Sequence, residues 1–148
     1  MFQFYFIGQF VFLSLFYFEL LKKKWVPIVL FLVLGVLALQ YVFDPSSFLA
    51  YNTMGVILTQ SVVVVYSMLY FYKMLSQKGS FLIVNNGIFL YLMASVLFFS
   101  SGNLLLKLNL SLETMRLIGF VNDFFYFVFI ILIVVEWYRN FRPTPLKV

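Results

Sequence analysis

The chain contains no cysteine and no histidine, and only five acidic residues among 148. These absences remove a large body of chemistry together. Without thiolate or imidazole there is no haem axial ligation, no disulfide, no cysteine nucleophile and none of the usual zinc sites. No P-loop, dinucleotide fingerprint, HExxH or GxSxG motif occurs, and the hydroxyls of SSGN at 100–103 have no histidine to activate them. A two-carboxylate site would require Asp123 beside Glu113 or Asp44. Neither a cofactor nor a metal is expected, and the chain reads as non-enzymatic.

Charge is scarce as well. Charged residues make up 10% of the chain against 64% hydrophobic and 22% aromatic, and the mean hydropathy is +1.04. A soluble domain of this size keeps much of its surface in water and cannot hide so much apolar side chain. The expected solvent is lipid. The net charge of +5 does not point to nucleic acid, because the basic residues stand in short clusters at the ends of apolar runs, as membrane topology places them.

A membrane-crossing helix takes about 20 apolar residues. Five windows meet that length: about 2–21, 25–43, 53–72, 82–105 and 117–137. The connections carry charge or Pro, Ser and Asn turn chemistry and are short, so consecutive helices should be antiparallel. The expected fold is all-α, a single polytopic transmembrane bundle over residues 1–148, with no internal repeat and no separate soluble domain.

Alternating the loops places Lys22, Lys23, Lys24, Lys73, Lys78, Arg139, Arg142 and Lys147 on one face, and only Lys107 and Arg116 on the other. By the positive-inside rule the N-terminus lies outside and the C-terminus in the cytoplasm. Lys22, Lys23, Lys24, Arg139 and Arg142 then form the basic membrane interface. The first span lacks a charged n-region and a small-residue cleavage site and reads as a retained anchor. Glu19 beside Lys22 to Lys24 allows an ion pair or contact of the lysines with anionic lipid, and at a cytoplasmic interface the lipid contact is the expected one.

Ionisable residues within spans are costly and are functional candidates by default. The stretch GFVNDFFYF at 119–127 contains one, Asp123, roughly 10 Å below the outer boundary at 1.5 Å per residue. Gly119, Asn122, Asp123 and Tyr126 share a helical stripe, which should face protein. Gln9 and Gln60 reach the same depth on the first and third spans, and Ser101, Asn103 and Gln40 stand nearer the outer surface. A ligand- or partner-binding site in the outer half would comprise Asp123, Asn122, Gln60, Gln9, Ser101 and Asn103. With no basic partner at its depth, Asp123 is either protonated or in contact with water, and it is expected to face inward near Gln9 or Gln60. Small residues, Gly87 and Ala94 on the fourth span and Gly35 and Ala38 on the second, are expected to mark close helix packing.

YLMASVLFFSSGNLLL at 91–106 and LIGFVNDFFYFVFIIL at 117–132 resemble a family of uncharacterised multi-pass membrane proteins of Bacteroidota-type bacteria. FIGQFVFLSLFYFELLK at 6–22 resembles an earlier segment of that family, which often carries Glu where this chain has Gln9. Members commonly have seven spans, so this chain looks like a five-span form lacking the first two. The genes often stand beside sensor histidine kinases, so the resemblance implies a signalling setting in the inner membrane.

The leading expectation is a sensory or accessory membrane subunit whose partners are the lipid bilayer and another membrane protein or a second copy. Proton- or cation-coupled transport through Asp123 is the alternative, and a lipid-modifying enzyme a weaker one.

Overall fold

In the computed structural model, residues 2–45, 52–76, 80–107 and 112–141 are described, and within them the side chains of Phe2, Gln3, 100–107, Leu112, Met115 and Ile118 are not. The described residues form five helices: α1 (Phe2–Leu21), α2 (Trp25–Phe43), α3 (Thr53–Ser76), α4 (Leu82–Lys107) and α5 (Leu112–Phe141). Each contains a stretch long and apolar enough to cross a membrane. Helices are the natural outcome for such runs, because lipid offers nothing to a free backbone N–H or C=O and a helix satisfies its own. The protein is a polytopic helical bundle.

The first two helices end where the apolar windows end. The other three run on: α3 to Ser76, α4 to Lys107, and α5 from Leu112 to Phe141. Apolar length marks the hydrocarbon core, but a helix continues wherever its residues tolerate it. Glu113 in the first turn of α5 and Arg139 in its last complement the helix dipole and favour the added turns. Between α1 and α2 the chain reverses within residues 22–24. Lys22 adopts φ 55°, and its N–H bonds the Phe18 carbonyl at 2.9 Å, closing the end of α1.

The packing order places α3 at the centre. It touches α1 and α4 broadly and α2 lightly, α1 also packs on α2, and α5 packs on α4. Half of the α3 span is buried, against 6% of the α5 span. The last helix is therefore an edge. The core between the helices holds Phe6, Phe10, Tyr17, Tyr66, Tyr70 and Ile88, each 2% exposed or less.

Small residues divide in their roles. A Cβ on Gly87 would stand 3.0 Å from Phe129 and 3.1 Å from Leu132, so this glycine lets α5 approach α4 closely. Gly35 is different. Open space surrounds it, and Ala38 is exposed, which corrects the packing expected there. The inward face of α2 is Val26, Leu30, Val33 and Leu37, so its small residues point to lipid.

The side bearing Lys22–Lys24, Lys73 and Arg139 is the lysine side, and the opposite one is the far side.

Candidate functional site

Two polar layers cross the bundle, and they differ in how well they are satisfied. The layer toward the lysine side is closed. Tyr17 of α1 donates to Asn85 Oδ1 of α4 at 2.6 Å. The Asn85 amide donates to the Ser67 carbonyl of α3 at 3.3 Å, and the Ser67 hydroxyl donates to the Asn85 carbonyl at 3.4 Å. Asn85 and Ser67 are fully buried. Tyr70 donates to the Ser80 carbonyl, and Lys73 reaches across to the Leu20 carbonyl at 2.7 Å, taking up an acceptor at the end of α1.

Glu136 completes this side. It belongs to α5 yet caps α4: its Oε2 accepts from the N–H groups of Ile83 at 2.7 Å and Val84 at 3.3 Å. These are among the first four N–H groups of α4, which have no partner within their own helix. A carboxylate there also meets the positive end of the helix dipole. The Asn140 amide donates to the other oxygen at 2.9 Å. Glu136 is 5% exposed.

The far layer is open by comparison. Gln9 and Gln60 line one cavity of about 10 Å³ together with Thr59 and Leu92. Tyr91 stands beside Gln9 and Tyr5, and its ring lies 5.5 Å from Tyr126 and stacks on Phe129 at 5.6 Å. Buried oxygens of Gln9, Ser14, Gln60, Ser95 and Asn122 have no hydrogen-bond partner among the described residues. The cavity is the size a single water requires.

The structure thus brings Gln9 and Gln60 together and turns Asn122 toward the bundle, its Oδ1 buried. Asp123 goes elsewhere. It is exposed, which corrects the inward-facing position and the glutamine contact expected for it. The inward stripe of α5 is Asn122, Phe125, Phe129, Leu132 and Glu136, set by the Glu136 cap and by the seat that Gly87 gives to Phe129 and Leu132. Adjacent helical residues point about 100° apart, so turning Asn122 in turns Asp123 out. No hydrogen bond or ion pair reaches Asp123 among the described residues.

Ser101, Asn103 and Arg142 lie outside the described residues and side chains. Lys22 pairs with Glu19 at 2.7 Å, both side chains well exposed, so the ion pair is formed; Lys23, Lys24 and Arg139 are exposed. Gln40 binds Asn52 through reciprocal amide contacts of 3.2 Å, while Asn52 Oδ1 accepts the Gly55 N–H at 2.8 Å and so caps α3.

Glu136, Tyr17 and Asn85 were not among the sequence candidates. Their signal was present: a carboxylate and an amide close to span ends, where a neighbouring helix terminus offers unpaired backbone groups. Comparison with protein-family models, curated proteins and solved structures returns no match.

Proposed function

We propose that this chain is a non-enzymatic accessory subunit that joins another membrane protein through the exposed flank of α5. One observation carries this reading. Asp123 stands within an apolar helix, exposed, on the helix with the least buried span of the five. A carboxylate facing lipid costs up to about 2.5–3.5 kcal/mol at the centre of a span, and a partner helix bearing a basic or amide donor would offset that cost. Asn122 beside it is turned to the bundle instead, its buried oxygen without a partner among the described residues.

Transport through Asp123 has less support, since the acid stands apart from the interior and the cavity at Gln9 and Gln60 accommodates no more than about one water. The lysine side faces the cytoplasm of a bacterial inner membrane in this reading, following the positive-inside rule. A signalling assembly is the setting proposed for that partner, in keeping with the resemblance noted in the sequence.

The test is the size of the native assembly. Membranes from the native host are solubilised in mild detergent and run on native gels. The chain is expected to run as a larger species than the same chain purified alone in that detergent, and Asp123→Asn should release it at unchanged yield, because the amide keeps the shape and removes the charge. Identical migration of both proteins would sink the reading.

A further inference from the structure

A second feature is independent of Asp123 and lies at the opposite end of α5. There α1 and α5 stand on either side of the first half of α4 and leave a groove of about 330 Å³ between them. Phe12 and Phe16 form one wall, Val84 and Ile88 the floor, and Phe129 and Trp137 the other wall. Apart from Glu136, every lining side chain is apolar, and the Glu136 carboxylate is turned to the amides of α4 and Asn140.

The length of the groove suits an acyl chain. Along α5 the groove runs from Phe129 to Phe141, about 18 Å at 1.5 Å per residue, a span that a single extended hydrocarbon chain can follow. Its length is also close to one leaflet of the hydrocarbon core, about 15 Å.

The charge at the groove's end selects the headgroup. The groove runs toward the lysine side, where α1 ends at Leu21 and the exposed Lys23 and Lys24 follow. Lys22 is engaged by Glu19. Exposed lysines at a membrane surface attract anionic lipid. We infer that the groove between α1 and α5 is a binding site for an anionic phospholipid, with one acyl chain along Phe16, Val84 and Trp137 and the headgroup at Lys23 and Lys24.

Fluorescence quenching tests this directly. The chain has two tryptophans, and Trp25→Phe leaves Trp137, in the groove wall, as the reporter. The full chain is placed in phosphatidylcholine vesicles containing a fixed fraction of phosphatidylglycerol, with bromine on the acyl chains of one lipid or the other. Brominated phosphatidylglycerol should quench Trp137 more strongly per mole than brominated phosphatidylcholine, by up to about fivefold. Val84→Phe, which fills the floor, should bring the two toward parity. Lys23→Gln with Lys24→Gln should do the same with the groove intact, which keeps the test decisive where the Val84 variant fails to insert. Equal quenching by both lipids in the unfilled groove would mean bulk lipid only. Protection of Trp137 from both would mean that another chain covers the groove. Either result overturns the assignment.

Discussion

At the scale of single residues, the bundle separates polar groups that hold it together from polar groups that have nothing to hold. Tyr17 and Asn85 belong to the first kind, bonded at 2.6 Å between α1 and α4. Tyr17→Phe should lower stability by about 1 kcal/mol, since membrane interhelical bonds average about 0.6 kcal/mol and an orphaned buried acceptor costs somewhat more. Ser14 and Ser95 belong to the second kind, their hydroxyls buried without partners among the described residues. Ser14→Ala and Ser95→Ala should change stability by less than about 0.5 kcal/mol, because no bond is lost. Thermal unfolding of the variants in one detergent compares them, and a costly serine variant beside a neutral Tyr17→Phe would reverse the assignment.

At the scale of elements, the α4–α5 pair is defined by two contacts far apart in sequence: the Glu136 cap on Ile83 and Val84 and the seat of Phe129 and Leu132 against Gly87. Glu136→Ala should cost about 0.5–2 kcal/mol, the usual range for a lost cap. Amide exchange at Ile83 and Val84 would report it as accelerated local opening. Unchanged exchange there would mean that the carboxylate contributes no cap. These contacts also explain the limits of the sequence reading. The existence of each helix was legible because about 20 apolar residues have few alternatives in lipid. The rotation of α5 was not, because the helix is apolar nearly all round and its period cannot choose between Asn122 and Asp123. Gly87 and Glu136 make that choice, and one of them lies on a different helix. The common depth of Gln9 and Gln60 was legible, since both stand seven residues into their helices from the far side; that they share a cavity was not, because depth does not set the face a residue turns to its neighbours.

At the scale of the whole molecule, a well-bonded layer near the lysine side contrasts with an open one toward the far side, and α5 carries along its edge an acid with no partner among the described residues. The orientation proposed from the basic residues is open to a direct test. Cysteines introduced at Ser47 and Ser76 should differ toward an impermeant thiol reagent in intact cells, with Ser47→Cys labelled and Ser76→Cys protected. The reverse pattern would invert the bundle. Whether α5 is the proposed docking edge centred on Asp123 is decided by photo-crosslinking in native membranes. A photoreactive residue replaces Phe127, which is 61% exposed one turn from Asp123, and in a control it replaces Val36, 45% exposed on α2. A discrete protein adduct is expected from position 127, lost when Asp123→Leu is added, and only lipid adducts from position 36. Lipid adducts alone from position 127, or a protein adduct indifferent to Asp123→Leu, would contradict it.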